Sequence, residues 1–279
     1  MAILVRLSKY VPLFRMLRGK TCVVTGSTSG IGREIARTYL KQGAFVFIGG
    51  RSDASVNKTL EQFRSEGLDN VVGIVADIST TEGSDAFFSK VDESGKFVDV
   101  LCSNMGFFDV QDFFEVSDEK WTEYFQSNIL TTVKFCRRFL KPMLEKNSGR
   151  VIIISSEGGV KPIPDMVAYC TTKGAQITLA RGLAELTKGT NVTVNSLLPG
   201  PTMTEGVSTF VDGLVAESGG ATREETIKRF FQDREPTSLI QRFLEVEEVA
   251  NVAAFLASDM SSGINGATQR VEGGIIRST

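Results

Sequence analysis

Six short apolar runs, separated by longer amphipathic segments, constrain the fold of this 279-residue chain more than any other feature. The runs are rich in valine, isoleucine and phenylalanine and contain almost no charge. Such runs are typical of strands that are buried on both faces, as in a parallel sheet. They are Cys22–Thr25, Phe45–Ile48, Val71–Val75, Val98–Cys102, Val151–Ile154 and Val192–Leu198.

The segments between the apolar runs are predicted to be helices. Repeated alternation of strand and helix indicates a doubly wound α/β domain. No internal repeat or flexible linker divides the chain, and its 42% hydrophobic and 23% charged residues are typical of a globular protein, so we expect one domain over residues 19–279. The predicted helices are Gly32–Gln42, Ala54–Glu66, Ser84–Glu93, Glu119–Glu145 and Met166–Lys188.

Residues 202–235 interrupt this alternation. The segment contains four glycines among scattered charges and becomes helical again over Thr222–Phe231. A long excursion of this kind after a strand is a candidate lid over a binding site. The alternative is a variable surface excursion with no part in binding.

Residues 1–18 form a basic, amphipathic leader. The first twenty residues contain five lysines and arginines, and the first acidic residue of the chain is Glu34. Apolar residues recur at roughly helical spacing, although Pro12 interrupts them. Such a leader can direct a protein to an organelle or bind a membrane surface. The alternative is a short segment that packs on the domain of a cytoplasmic protein.

The chain contains no histidine, which excludes Ser-His-Asp and Cys-His catalysis and histidine-based zinc sites. Its four cysteines lie far apart without a Cys-x-x-Cys pair, so we predict reduced thiols and no metal site. A net charge of −2 argues against a nucleic-acid partner. No apolar run reaches the roughly 18–20 residues of a transmembrane helix.

A glycine-rich turn follows the first predicted strand and begins the first helix. From Thr25 to Gly32 it reads Thr-Gly-Ser-Thr-Ser-Gly-Ile-Gly. Glycines let a phosphate approach the backbone, and a helix N-terminus supplies free N–H groups. The hydroxyls of Ser27, Thr28 and Ser29 add hydrogen-bond donors. The turn lacks the Lys-Ser/Thr pair of nucleoside triphosphatases, which argues against phosphoryl transfer.

Tyr169 and Lys173 lie four residues apart in a predicted helix and therefore share one face. A neighbouring cation stabilises a phenolate and lowers the pKa of the phenol, which is ordinarily about 10. The pair would thus provide acid–base chemistry without histidine. Ser156 stands at the end of a buried strand, where open α/β sheets bind ligands, and can donate a hydrogen bond to a carbonyl oxygen.

In combination these motifs resemble the short-chain dehydrogenase/reductase family over about residues 19–275. The family's catalytic residues match Asn128, Ser156, Tyr169 and Lys173. The resemblance implies a single domain with a Rossmann-type, doubly wound, mostly parallel seven-stranded sheet flanked by helices, in which Thr268–Gly274 is the C-terminal strand. The matching cofactor-binding positions are Gly26, Ser27, Ser29, Gly30, Ile31, Gly32, Asp77, Ile78, Asn104, Gly106, Tyr169, Lys173, Pro199, Gly200 and Thr202.

The resemblance implies hydride transfer between a nicotinamide cofactor and a carbonyl or secondary alcohol substrate. Tyr169 would exchange a proton with the substrate oxygen, as a phenolate favoured by Lys173 and the oxidised nicotinamide. Ser156 would hold that oxygen, and Asn128 would hold a water that links Lys173 to solvent. Met105 replaces a family alanine, which affects local packing more than chemistry.

Two other functions remain open. A catalytically silent relative would bind the cofactor as a sensing or structural module, although all four catalytic positions are intact. A methyltransferase on a similar sheet would carry an acidic residue after the second strand. The sequence there is Gly50-Arg51 instead.

The end of the second strand favours NADP(H) over NAD(H). NAD-binding domains place an acidic side chain there to bind the ribose 2′-hydroxyl. Gly50 occupies that position, and Arg51 and Ser52 can bind a 2′-phosphate. Ser29 is an opposing indication, because many NADP-binding relatives carry a basic residue in the glycine turn. The alternative is that Arg51 is a solvated surface charge with no part in cofactor binding.

The substrate and the assembly are only weakly determined. Glu157–Pro164, Met105–Phe108 and Met203–Phe210 are predicted to line the pocket. Their aromatic residues indicate either an apolar substrate wall or packing of the lid itself. The resemblance implies a small-molecule substrate and a homodimer or homotetramer joined through the helices predicted at Glu119–Glu145 and Met166–Lys188.

Overall fold

The computed structural model of the protein describes residues 15–278, so most of the predicted leader lies outside the described residues. Seven strands form one sheet in the order β3-β2-β1-β4-β5-β6-β7, and every neighbouring pair is parallel. The predicted doubly wound α/β fold is confirmed. The strands are β1 Thr21–Val24, β2 Phe45–Gly50, β3 Val71–Val75, β4 Val100–Ser103, β5 Gly149–Ile154, β6 Val192–Pro199 and β7 Thr268–Val271.

Nine α-helices of the described residues flank this sheet and form the lid region. The helix predicted over Glu119–Glu145 is interrupted by a π-helical turn, Phe125–Leu130, which joins α4 to α5. The helices are α1 Gly30–Lys41, α2 Asp53–Ser65, α3 Thr81–Glu93, α4 Asp118–Tyr124, α5 Thr131–Lys146, α6 Val167–Glu185, α7 Glu205–Glu217, α8 Arg223–Asp233 and α9 Val246–Ala257.

Two apolar cores lie on opposite faces of the sheet. One joins the sheet to α1, α2 and α9, and the other joins it to α3, α5 and α6. Alternate residues of each strand enter different cores, as Val23 and Val24 of β1 do. Burial of each large apolar side chain contributes about 1.5–3 kcal/mol to the stability of the fold. The cores on both faces therefore stabilise the sheet and hold in place the edge at which a site can form.

The predicted lid region folds into α7 and α8, which are joined at Gly219–Gly220. Thr222 begins α8 with a capping box to Glu225. The two helices share a small core of their own around Val211, Phe231 and Phe243. The segment is therefore a packed helical hairpin attached beside the sheet.

Candidate active site

An open cleft of about 1420 Å³ lies at the carboxyl edge of the sheet. The segments that follow β1, β2, β3, β4, β5 and β6 line it, as expected for an open α/β sheet, and α7 and α8 lie along one side. Typical small-ligand pockets measure roughly 300–1,000 Å³. The cleft therefore has room for a dinucleotide and a second small molecule.

The glycine-rich turn forms the floor of one end of the cleft. Gly32 is required there, because a Cβ atom at this position would lie 2.2 Å from the carbonyl oxygen of Gly26. The N-terminus of α1 already binds an anionic group, since the Glu205 carboxylate accepts a hydrogen bond of 3.0 Å from the N–H of Gly30. The turn therefore fits the phosphates of a dinucleotide. Its lining residues are Gly26, Thr28, Ser29, Gly30, Ile31 and Gly32.

Ser27 is an exception among the predicted cofactor-binding residues. Its side chain is fully buried, donates a hydrogen bond of 2.7 Å to the Val24 carbonyl and accepts one of 3.0 Å from the Gly49 N–H. The prediction that this hydroxyl binds a phosphate is therefore wrong. Ser27 instead holds the turn against β2.

Asn104 supports the glycine-rich turn from the end of β4. Its amide nitrogen donates hydrogen bonds of 3.1 Å to the carbonyls of Thr25 and Gly26. Met105 packs on the core below, so the larger side chain is accommodated without closing the cleft. Of the other predicted positions near this end, Asp77, Ile78 and Gly106 also line the cleft.

The end of β2 has no room for an acidic side chain. A Cβ atom on Gly50 would lie 2.6 Å from a methyl carbon of Thr28. Arg51 is exposed, lines the cleft and forms no ion pair with any residue from 15 to 278. Ser52 is used differently from the prediction, because its hydroxyl caps α2 by accepting a hydrogen bond from the Ser55 N–H. Arg51 is thus the cation available here to a phosphate.

Ser156, Tyr169 and Lys173 meet in the cleft beyond the end of β5. The ammonium nitrogen of Lys173 lies 5.5 Å from the centre of the Tyr169 ring and donates a hydrogen bond of 3.0 Å to the Ile154 carbonyl. The Ser155 hydroxyl donates to the Lys173 carbonyl at 2.7 Å, which fixes α6 to the strand end. The three predicted catalytic side chains therefore face one volume.

Burial changes the acid–base behaviour of this group. It raises the pKa of Tyr169 above its usual value, and the charge of Glu157 raises it further. Burial also lowers the pKa of Lys173 to about 8. Desolvation by burial dominates the pKa of Tyr169 among the protein groups, so the lowering expected from Lys173 together with the oxidised nicotinamide stays a prediction. Tyr169 is a protonated phenol at neutral pH.

Asn128 lies behind the cleft in the π-helical turn and is fully buried. Its side-chain oxygen accepts a hydrogen bond of 3.0 Å from the Phe107 N–H, and its nitrogen donates one of 3.0 Å to the Thr172 hydroxyl. The residue therefore fixes the loop after β4 and α6. Its side chain is occupied by these contacts, and its predicted role as the holder of a water stays a prediction.

Sequence reasoning did not identify Gln176, which is fully buried one turn after Lys173. Its side-chain oxygen accepts a hydrogen bond of 3.0 Å from the Lys173 ammonium, and its nitrogen donates one of 2.8 Å to the Asn128 carbonyl. Gln176 thus links the Asn128 carbonyl directly to the Lys173 ammonium. Its place at i+3 from Lys173 is the pattern that points to it.

The segment after β6 closes the cleft on the side of β7. Gly200 donates a hydrogen bond of 2.8 Å from its N–H to the Val271 carbonyl. The Thr202 hydroxyl donates one of 2.8 Å to the Gly200 carbonyl. Pro199, Gly200 and Thr202 all line the cleft, as predicted for cofactor-binding positions.

Aromatic side chains line the cleft beside the catalytic group and along the lid. Phe108 meets the edge of the Tyr169 ring at 6.0 Å between ring centres. Phe230 stacks on Phe243 at 5.1 Å and touches Phe210 at 6.3 Å. Phe210 and Phe230 thus pack the lid and also line the cleft, and their contact with an apolar substrate stays a prediction.

The described residues contain no cluster of three or more potential metal ligands. All four cysteines are buried and free, and burial raises the pKa of Cys102 and of Cys136 to about 12. Those two thiols are therefore unreactive packing residues. Over the part of the chain that is described, no helix is both long and apolar enough to span a membrane.

Comparison with known proteins assigns this chain to a family. The short chain dehydrogenase family model matches residues 20–214. The uncharacterized oxidoreductase YvrD of Bacillus subtilis is 52% identical over 262 residues, which cover 94% of this chain and 98% of the relative. The chain therefore belongs to the short-chain dehydrogenase/reductase family of oxidoreductases.

Two further relatives have specific activities in their names. The 3-oxoacyl-[acyl-carrier-protein] reductase FabG of Aquifex aeolicus is 30% identical, with 93% of this chain and 98% of the relative covered. The crystal structure of L-sorbose reductase from Gluconobacter frateurii with NADPH and L-sorbose has a TM-score of 0.89 and 27% identity, covering 95% of this chain and 100% of that one. These comparisons define an oxidoreductase without choosing its substrate.

Proposed function

We propose that this protein transfers a hydride between NADP(H) and a carbonyl or secondary alcohol substrate. The observation that carries the proposal is the meeting of Ser156, Tyr169 and Lys173 in the same cleft as the glycine-rich turn. A nicotinamide bound in this cleft would supply or accept the hydride. The L-sorbose reductase neighbour, described as a complex with NADPH, supports this assignment.

Tyr169 is the proposed general acid. Because burial keeps its phenol protonated, the residue is suited to donate a proton to the oxygen of a ketone that is being reduced. Ser156, whose single hydroxyl proton is directed at Glu157 in the structure, would turn it to the same oxygen as negative charge develops there. Lys173 would be charged near neutral pH, because its pKa is about 8. Its ammonium would hold the cofactor ribose and stabilise the phenolate that forms when Tyr169 gives up its proton.

The cofactor would lie along the carboxyl edge of the sheet. Arg51 would pair with the 2′-phosphate of NADP(H), and the crowding at Gly50 disfavours the carboxylate that NAD-binding domains use. The residues proposed to hold the remaining parts of the cofactor are Gly26, Ser29, Gly30, Ile31, Gly32, Asp77, Ile78, Asn104, Gly106, Pro199, Gly200 and Thr202.

Assembly through α5 and α6 is part of the same proposal. Leu130, before α5, and Leu186, after α6, are apolar side chains with 45% and 62% of their surface exposed. Light scattering on the purified chain would show a mass of two or four copies if these helices associate. A monomer at micromolar concentration would contradict that assembly.

A panel of ketones and secondary alcohols tests the function. Each ketone is assayed with NADPH and with NADH, and each alcohol with NADP⁺ and with NAD⁺. We expect oxidation of NADPH with at least one ketone, and tighter binding of NADPH than of NADH by fluorescence titration. Absence of turnover across the panel would overturn the reductase assignment. A clear preference for NADH would overturn the cofactor assignment alone.

A further inference from the structure

Glu157 is a buried carboxyl group beside the proposed catalytic serine. It follows β5 directly, has 6% of its surface exposed and lines the cleft. Its Oε2 atom accepts a hydrogen bond of 2.5 Å from the Ser156 hydroxyl. Apart from the nearby backbone N–H groups of Glu157 and Gly158, no other residue between 15 and 278 donates a hydrogen bond to this carboxyl. One carboxyl oxygen therefore remains for a molecule in the cleft.

The cations near Glu157 are already paired with other carboxylates. Lys161 forms an ion pair with the buried Glu235, and Arg234 pairs with Asp165 at 3.0 Å. No ion pair of the described residues includes Glu157. Isolated buried carboxyl groups are costly, and their retention in a cleft points to use by a ligand. Among the described residues, the substrate end of the cleft thus offers carboxyl oxygens and no free cation except Lys173.

We propose that Glu157 determines substrate specificity by binding a hydroxyl group on the carbon next to the reacting carbonyl. Preferred substrates are then uncharged hydroxyketones, with the corresponding diols or polyols as products. The proposal rests on the proposed function, because Ser156 must hold the carbonyl oxygen. The Glu157 carboxyl is one hydrogen bond from Ser156, so a hydroxyl beside the carbonyl comes within its reach.

The chemistry of Glu157 discriminates among substituents at that position. Burial raises the pKa of Glu157 to about 7, so near neutral pH the group can either accept a hydrogen bond or donate one, and a hydroxyl complements both forms. A carboxylate substituent meets repulsion from Glu157 and finds no unpaired arginine among the described residues beside Glu157. An ammonium substituent must lose its hydration among the aromatic side chains that line the cleft, and only the ionised form of Glu157 offsets that cost.

Four small ketones that differ only at this position test the proposal: acetone, hydroxyacetone, aminoacetone and pyruvate. The measurement is kcat/KM with NADPH for each ketone, and its readout is the ratio of hydroxyacetone to acetone. This ratio cancels any general loss of activity. The variants are Glu157→Leu, which removes the polar group, and Glu157→Gln, which keeps hydrogen bonding. Glu123→Gln is the control, since Glu123 is an exposed carboxylate that lines the same cleft.

We expect the wild type to prefer hydroxyacetone over acetone by about tenfold or more, the discrimination of one hydrogen bond. Glu157→Leu should abolish that ratio, Glu157→Gln should keep part of it, and Glu123→Gln should leave it unchanged. Reduction of all four ketones without a hydroxyl preference, or a ratio unaffected by Glu157→Leu, overturns this proposal while the reductase function stands. No turnover of any ketone in the wider panel overturns both.

Discussion

Replacement of Gln176 by leucine removes a buried polar network at almost constant volume. The wild-type side chain accepts a hydrogen bond from the Lys173 ammonium at 3.0 Å and donates to the Asn128 carbonyl at 2.8 Å and to the Thr132 hydroxyl at 3.3 Å. The variant leaves the ammonium with Ile154 as its remaining acceptor among the described residues. The buried Asn128 carbonyl also loses one of its two side-chain donors and keeps the Thr132 hydroxyl.

Loss of a hydrogen bond to a charged group costs about 1.5–3 kcal/mol, and an unsatisfied buried group costs about 1–3 kcal/mol. Because the Asn128 carbonyl and the Thr132 hydroxyl can relax in part, we expect the free energy of unfolding to fall by about 2–4 kcal/mol. Urea unfolding followed by fluorescence of Trp121, the single tryptophan of the chain, measures this change.

Gln62→Leu is the matched control for this substitution. The side-chain oxygen of Gln62, on α2, has no hydrogen-bond partner within residues 15–278, so its variant should remain within about 0.5 kcal/mol of the wild type. A Gln176→Leu variant as stable as the Gln62→Leu control, with an unchanged urea dependence, would refute the network and the positioning role assigned to Gln176.

Three further expectations follow from the same geometry. Arg51→Ala should weaken NADPH binding by about tenfold and leave NADH binding nearly unchanged in fluorescence titrations; equal losses would contradict the phosphate contact. Because burial raises the pKa of Glu157 from 4.5 to about 7, its contribution to stability is full below pH 4.5 and is lost as pH rises through 7. The stability difference between wild type and Glu157→Gln should therefore fall by up to about 3 kcal/mol across that range in urea titrations, and a constant difference would exclude this assignment. Gly32→Ala should abolish cofactor binding or folding, as judged by titration and circular dichroism, since a Cβ atom there lies 2.2 Å from the Gly26 carbonyl; normal binding would contradict the close approach.

The strands and most helices were predictable because their patterns are local. Apolar runs place β1 to β6 to within about two residues, since a strand buried on both faces has no polar positions. The helix α9 was missed, because it is apolar around most of its surface and its N-cap residue is Glu245 rather than a serine or threonine. The helix α7 was also missed, because Gly206 and Gly213 within it indicate a loop.

The π-helical turn around Asn128 could not be predicted from the spacing of apolar residues in the sequence. The sequence of this region is compatible with one continuous helix, and the break depends on the contacts that Asn128 makes with Phe107 and Thr172. Those partners lie 21 and 44 residues away in the chain. A break of this kind is set by tertiary packing, so single-residue propensities did not predict it.

The candidate site was predictable where a motif fixes the backbone position of a residue. It was less predictable where the role of a residue depends on the hydrogen-bond partner of its side chain. Tyr169, Lys173 and Ser156 were found from spacing, because helix and strand geometry place them. Ser27 was misassigned, since its sequence position does not show that the hydroxyl turns inward. The roles of Glu157 and Gln176 depend on burial, which the sequence does not specify.

The Tyr169→Phe variant tests the central claim most directly, because it deletes one hydroxyl and leaves the ring and its contact with Phe108. Turnover of a ketone that the wild type reduces should fall by at least about 100-fold, the contribution of general acid catalysis. The dissociation constant for NADPH should stay within about threefold of the wild-type value. Near-normal turnover by this variant would contradict the assignment of Tyr169 as the proton donor.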